Sequence, residues 1–533
     1  MPDAQLSDLS QPRHDAARLR AACEIGLIFL LFFLQAGWPA PDVNEPHYLS
    51  KARHYWDPAW CANDFFCASA DAHQVFYWTF GWLTRFLPFA TVAWLGRVLT
   101  WGLIAWAWRR LSWSLVPAAW YSVLSAALWV MLTDRCQMAG EWVIGGVEAK
   151  GFAYVLVLLG LESLVRGRWA CAWLLFGAAS SFHVIVGGWS VVAAAVVWLV
   201  SRDRPTFGQT ILPLAGGLLL ALPGLAPAVA LTSGVNPATV AEANRIYVYE
   251  RLYHHLLPQR FPPLFILRHL ALVVGFAALV AWAGAIDARF ARLRAYVAAA
   301  VGIAACGMLL AMTAPMAPDF AAGVLRYYWF RMSDVMVPLG VALTFTWMLT
   351  QWQHHAERVH AVALALALVL TTLHFGDFIV MRRERPWPPA DTSVVNLDEW
   401  RELCEWIATE TPPEAVFLTP RLAQTFRWYA GRAEVANRKD IPQDAAGLVE
   451  WWRRVTRIYR AEAGTPQAYW RESLAPLGSR ALVELGSEFG ADYLITSADP
   501  PLALERVGPR GASYAIYRLP ELERVDRAAA PVP

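Results

Sequence analysis

Apolar residues in this chain come in blocks rather than in alternation. Between residues 24 and 380, apolar runs of about 17–25 residues are cut by polar or Pro/Gly-rich breaks, and that length crosses a ~30 Å hydrocarbon layer as a helix. The pattern predicts about eleven spans, near 24–40, 88–108, 115–132, 151–166, 170–186, 187–201, 210–232, 265–286, 296–314, 332–350 and 360–380. The shorter breaks carry arginines. The longer ones, 41–87, 133–150, 233–264 and 315–331, mix acids, bases and aromatics. After about 382 the blocks stop. Helical spacing then appears at 400–409, 448–459 and 480–489, and strand-like pieces at 415–419, 493–496 and 513–518. The expected fold is a polytopic α-helical membrane protein: an arm over 1–23, a membrane domain over 24–381 and an α/β domain over 382–526. The Ala/Pro-rich 527–533 reads as a disordered tail.

Composition narrows the class. Of 533 residues, 57% are hydrophobic and only 17% charged, where soluble domains carry about a quarter. A soluble enzyme, a disordered chain, a coiled coil and a small disulfide scaffold are excluded. A net charge of +2 gives no case for nucleic acid. The 28 Trp and 17 Tyr suit a membrane–water interface.

Charge sets the expected orientation. Arg13, Arg18 and Arg20 precede the first run, which ends in Trp38-Pro39-Ala40 with no A-x-A cleavage pattern, so it reads as a signal anchor. Arg109-Arg110, Arg166/Arg168, Arg202/Arg204 and Arg289/Arg292/Arg294 fall on the same side as those first arginines. Lys and Arg are retained in the cytoplasm, so the N-terminus is expected inside an inner (cytoplasmic) membrane. The four long loops and the α/β domain are then outside. The register depends on a very tight turn at 182–188.

The chemistry concentrates on those loops. Asp42 and Glu45 follow the first span, where carboxylates lose hydration, rise in pKa and become proton acceptors. The alternative is an ordinary hydrated loop. Residues 74–86 read as an aromatic amphipathic helix in the outer interface. Lys150, Arg251, His254, His255, Arg326 and Arg331 bring basic groups beside aromatics, which suits a lipid phosphate. The competing reading is pairing with the acids of the same loops, such as Glu141 and Glu148. Arg97 lies within a span with no partner evident from sequence, and Glu162 has Arg166 four residues on. No metal-ligand spacing supports a divalent metal, and no nucleotide-binding or nucleophile motif stands out. Cys61 and Cys67 are close enough in sequence to bridge, with Cys136 a rival partner.

One span, an outer loop opening with acids, an interfacial helix, many further spans and an outer soluble domain together resemble the GT-C superfamily of integral-membrane glycosyltransferases. The segments Asp42-Val43-Asn44-Glu45-Pro46-His47-Tyr48-Leu49, Trp56-Asp57-Pro58, Glu148-Ala149-Lys150-Gly151 and Arg331-Met332-Ser333-Asp334 look like those of uncharacterised bacterial GT-C-like proteins. Thr411-Pro412-Pro413-Glu414-Ala415-Val416 is similar to the start of the soluble domain in such enzymes. The resemblance implies a polyprenyl-phosphate-linked sugar donor, an acceptor glycan, lipid or protein, and inversion at the anomeric carbon. Glu45 or Asp42 would be the general base, with Arg326, Arg331, Lys150, Arg251, His254 and His255 on the donor phosphate. No counterpart of the oligosaccharyltransferase W-W-D motif is present. A transporter or flippase of lipid-linked glycans is the alternative, and it predicts ionisable groups inside the spans and internal repeats. A non-catalytic glycolipid-binding scaffold is a third reading.

Overall fold

The computed structural model describes residues 11–284, 287–461 and 469–520. The first ten residues of the arm and the expected tail at 527–533 lie outside the described residues. A helix stands at every apolar run: α1 (Gln11–Ala36), then, after the loop helix α2 (Glu45–Trp56), α3 (Phe89–Leu115), α4 (Tyr121–Cys136), α5 (Ala149–Val165), α6 (Trp169–Phe182), α7 (Val184–Val200), α8 (Phe207–Ala230), α9 (Pro263–Ala283), α10 (Ala288–Ala311), α11 (Arg331–His355) and α12 (Glu357–Glu384). Seven of these, α1, α3 and α8–α12, are long and apolar enough to cross a membrane. The other four, α4–α7, run only 14–17 residues. The tight turn between α6 and α7 is the single residue His183, whose side chain accepts from Val186 N at 3.3 Å.

α11 lies at the centre of the bundle and is almost wholly enclosed, whereas α8, α9 and α12 expose leucines and valines over most of their length. Apolar surface on that scale suits hydrocarbon as its solvent. Close crossings use small residues: a Cβ on Gly177 of α6 would stand 2.1 Å from Gly217 O of α8, so these helices meet backbone to backbone.

α3 gives the bundle two unlike ends. Phe89, at its start, stacks on Trp428 of the C-terminal domain, while Arg109, near its end, pairs with buried Glu24 of α1 at 3.0 Å. The arginine end continues with Glu162, which takes Arg166 at 2.6 Å together with Arg168 and Arg110. Arg289 caps Ser114 O there at 3.0 Å. The four long loops gather at the other end.

The C-terminal domain is a five-stranded sheet of order β2-β1-β3-β5-β4. Its strands are β1 (Val416–Leu418), β2 (Ala433–Glu434), β3 (Tyr493–Ser497), β4 (Glu505–Val507) and β5 (Tyr514–Arg518), and its main helices α13 (Leu397–Glu410), α14 (Ala445–Tyr459) and α15 (Gly478–Phe489). β1 runs parallel to β2 and β3, and β5 antiparallel to β3 and β4. Side chains alternate across the sheet as the strand period requires. Phe417, Tyr493, Ile495 and Ile516 pack on Trp400, Leu403 and Ile407 of α13. Leu418, Leu494 and Tyr517 face α14 and α15, and this second core continues without a break into Ile246, Leu256, Leu325 and Phe330 of the loops. The sheet therefore shares one of its two cores with the membrane domain.

Candidate active site

The first loop is a folded platform. Pro46 in the first turn favours helix initiation, and α2 turns Glu45, Tyr48, Leu49 and Ala52 onto one buried face. The expected aromatic helix at 74–86 is two pieces, Gln74–Thr79 and a 3-10 turn at Gly81–Arg85, separated at Phe80. It packs on α2 and leaves Trp78, Trp82 and Phe86 exposed.

Both oxygens of Glu45 are occupied by hydrogen bonds. Arg97 of α3 donates from Nε to Glu45 Oε1 at 2.7 Å and from Nη2 to Oε2 at 2.6 Å. Val147 N adds 2.9 Å to Oε1 and Asp42 N adds 2.7 Å to Oε2. With four donors and no exposure, this carboxylate holds structure. It also supplies the partner for Arg97 that the sequence did not reveal.

Asp42 differs. Its Oδ1 accepts from Val43 N at 2.6 Å, and the residue lines a cavity of about 550 Å³ with Gln35, Trp38, Gln137, Trp142 and Trp387. Burial, and then the adjacent Glu45 charge, push its pKa up to about 6. The segment 141–150 closes over it. A Cβ on Gly146 would stand 2.6 Å from Asp42 Cβ and 2.9 Å from Glu45 Cγ, so only glycine allows this approach.

The basic candidates fall into three groups. Lys150 lies 3.2 Å from Glu141 and 3.3 Å from Glu148, with its ammonium 3.8 Å from the centroid of Trp142, a ring that also lines the Asp42 cavity. Arg331 lies 2.9 Å from Glu141 and sits 3.7 Å over Tyr328. These two are therefore paired with loop acids, and Asn44 ties Glu148 back to the first loop at 3.0 Å. Arg251 reaches across to the C-terminal domain, donating to Arg438 O at 3.1 Å and Lys439 O at 3.4 Å. His254 and His255 lie beside these cations. Burial and nearby cations hold His254 down at about 4 and His255 at about 2, so both are neutral and offer hydrogen bonds rather than charge. Arg326 stands apart on Asn244, between Tyr247 and Tyr327, and the Tyr247–Tyr328 hydroxyl pair at 2.8 Å links its surroundings to those of Arg331.

The sequence pattern did not single out two residues of the C-terminal domain that lie beside these loops, Lys439 and Asp440. Lys439 forms no ion pair among the described residues. Burial, and then the Arg251 charge, bring its pKa down to about 8, with Glu148 and Lys150 also within reach of its field. Beside it, Asp440 holds His47 of α2 at 3.3 Å. Nothing in the local pattern of Asn437-Arg438-Lys439-Asp440 marks it as a site. Arg331-Met332-Ser333-Asp334 divides its work: Asp334 accepts from Met138 N and Ala139 N at 2.7 and 2.8 Å and fixes the turn that presents Glu141. Cys61, Cys67 and Cys136 are all free thiols. Among the described residues no three His, Cys, Asp or Glu side chains converge as a metal site.

Comparison with known proteins adds a partial frame. A family described as "Domain of unknown function (DUF6798)" matches residues 398–458, the stretch from α13 to α14. No curated protein matches. Among solved structures, the chain is similar to the arabinofuranosyltransferase AftD from Mycobacteria, determined by single-particle cryo-EM, at 15% identity and a TM-score of 0.48. That match covers 95% of this chain and 40% of the other, so the chain spans about two fifths of that protein's length.

Proposed function

We propose that this chain is a GT-C-type membrane glycosyltransferase, moving a sugar from a polyprenyl-phosphate-type donor to an acceptor hydroxyl at the outer face. The observation that carries the reading is the position of Asp42. It lies at a cavity between the ends of α1, α4 and α12, and one helical turn further along these same helices runs an apolar groove of about 660 Å³ lined by Leu27, Leu31, Leu124, Leu368 and Phe375. A proton acceptor at the head of a lipid-sized apolar slot is what transfer from a lipid-linked sugar needs.

In this reading the Asp42 carboxylate takes the proton from the acceptor hydroxyl as its oxygen bonds to the anomeric carbon. The bond from that carbon to the phosphate oxygen breaks on the opposite face, inverting the centre, and the polyprenyl phosphate leaves. Glu45 and Arg97 position Asp42 through its backbone N–H. Charge developing on the phosphate meets Lys150 and Arg331, whose own charges are offset by Glu141 and Glu148, and Arg251 and Lys439, which form no ion pair among the described residues, add positive charge nearby. His254 and His255 add neutral donors, and Arg326 forms an outer approach. The arginine-rich end of the bundle favours the cytoplasm, which supports an outer location for this site.

The test is sugar transfer by the full chain in lipid nanodiscs from a polyprenyl-phosphate-linked sugar. Asp42→Asn should keep the fold and lose at least about a hundredfold in rate, within the range of a general base. Full activity in that variant would sink the proposal.

A further inference from the structure

α3 and α5 pack side by side, and each carries an apolar stripe toward the arginine end of the bundle. On α3 the stripe is Leu99, Trp106 and then Arg110; on α5 it is Leu156, Leu159 and then Arg166, just past the last turn. Steps of three, four or seven keep each set on one helix face. Leu99 and Trp106 are exposed, and Leu156 and Leu159 are half-buried, so the two stripes form a seam open to hydrocarbon.

The seam ends on an unbalanced charge cluster. Buried Glu162 holds Arg166 on one oxygen at 2.6 Å, and Arg168 and Arg110, the latter at 3.4 Å, on the other. Among the described residues it is the one carboxylate at ion-pair distance from any of the three, so three cations meet one anion and two positive charges are left over. Neighbouring Arg292, which donates to Val165 O at 2.6 Å, has its own carboxylate in Asp203. The three arginine side chains are 39–47% exposed against 2% for Glu162, so the guanidiniums form the outer layer of the cluster. Arg110 also leaves Nε without a partner, and its guanidinium lies 5.1 Å over the Trp106 ring. Arginines with unused donors, beside a Trp and at the end of an apolar seam, suit a lipid phosphate: the donors meet its oxygens while the seam takes the chain.

We infer that this seam binds an anionic phospholipid, with an acyl chain along Leu99, Trp106 and Leu159 and the headgroup phosphate on Arg110, Arg166 and Arg168. The ligand is both anionic and acylated. A zwitterionic headgroup would bring a further cation to arginines already in excess, and a free phosphate would leave the apolar seam uncovered. The site lies at the opposite end of the bundle from Asp42 and does not depend on the transferase reading, because it is defined by binding.

The experiment uses the full chain in a neutral detergent, titrated with dioleoylphosphatidylglycerol, dioleoylphosphatidylcholine and glycerol 3-phosphate, with bound ligand counted by native mass spectrometry. Phosphatidylglycerol should bind about tenfold or more tighter than phosphatidylcholine, the scale set by two unneutralised arginines at a membrane surface. Glycerol 3-phosphate should not bind at the concentration that saturates the lipid. The double variant Arg166→Gln/Arg168→Gln leaves Glu162 its partner Arg110 and should bring phosphatidylglycerol down about tenfold, toward the level of phosphatidylcholine. Trp106→Glu, at an exposed position, sets a carboxylate beside the same arginines and should do likewise, which keeps the test open if the double variant fails to fold. Arg202→Gln/Arg204→Gln removes the same charge from the same end of the bundle and should leave the titration unchanged. Equal binding of phosphatidylcholine, equally tight binding of glycerol 3-phosphate, unaltered binding in Trp106→Glu, or equal losses in the two double variants (which would make the effect a diffuse field rather than a site) would each overturn the inference.

Discussion

Arg97 closes on both oxygens of Glu45, at 2.7 and 2.6 Å, and neither side chain is exposed. Removing one member of such a pair strands a buried charge, at a cost of about 3–5 kcal/mol. Glu45→Met and Arg97→Met singly should therefore lose most monodisperse protein, and the double variant should recover a large part of it. Thermal unfolding of the three proteins checks this. Single variants as stable as the parent protein would show that the pair does not hold the fold.

Asp42 carries the expected pH dependence. Its pKa is raised from 3.8 to about 6, first by burial and then by Glu45. The native state therefore favours the protonated form, and the stability this group contributes is present below about pH 4 and lost as pH rises through about 6. Activity runs the opposite way, because a base must be ionised: transfer should rise through about pH 6. A pH–rate profile flat from 5 to 8, measured with chemistry rate-limiting, would remove Asp42 from the mechanism.

Gly146 should tolerate no side chain. Its Cβ would meet Asp42 Cβ at 2.6 Å and Glu45 Cγ at 2.9 Å, neither of them the far end of a flexible chain. Gly145 would meet Trp142 at 3.0 Å and Asp42 only at 3.7 Å. Gly146→Ala should therefore lose far more transfer activity than Gly145→Ala, with comparable protein yield if the strain stays local. Equal effects of the two would show that the turn is pliable.

The residues themselves explain what was legible in the sequence. Apolar runs are long, local signals, so each one appears as a helix, but whether a run of 14–17 residues crosses a bilayer depends on tilt and neighbours that composition does not carry. Strands β1, β3 and β5 showed themselves through alternation, while β2, two residues long, and β4, with two exposed residues, had too little pattern to find. The loop acids and bases were visible as types. Their pairing was not, because Glu45 is held by Arg97, 52 positions away, and by Val147 N, 102 positions away. Lys439 and Asp440 enter the site through a tertiary contact, and short-range spacing is silent on those.

The clamp between the first loop and the sheet domain is Arg427. Its buried guanidinium lies 3.1 Å from Asp64 and 2.8 Å from Glu434, and it also bonds Asp440. Three acids around one cation would leave excess negative charge, and burial relieves part of it by pushing Glu434 up to about 7. Asp440 goes the other way: burial would raise it, but Arg427 and His47 bring it down to about 2. The stability from that depressed carboxylate is present above its unfolded value of 3.8 and lost as pH falls through about 2. Arg427→Met leaves Asp64 and Asp440 without their cation, at a cost of about 3–5 kcal/mol. Because Asp64 and Asp440 belong to different parts of the chain, the loss should appear as separation of the sheet domain from the first loop. Limited proteolysis should then cut near residues 57–64 and 437–444 in the variant well before the transmembrane helices are touched. Protection of both segments equal to that of the parent protein would show that the shared apolar core alone holds the two parts together.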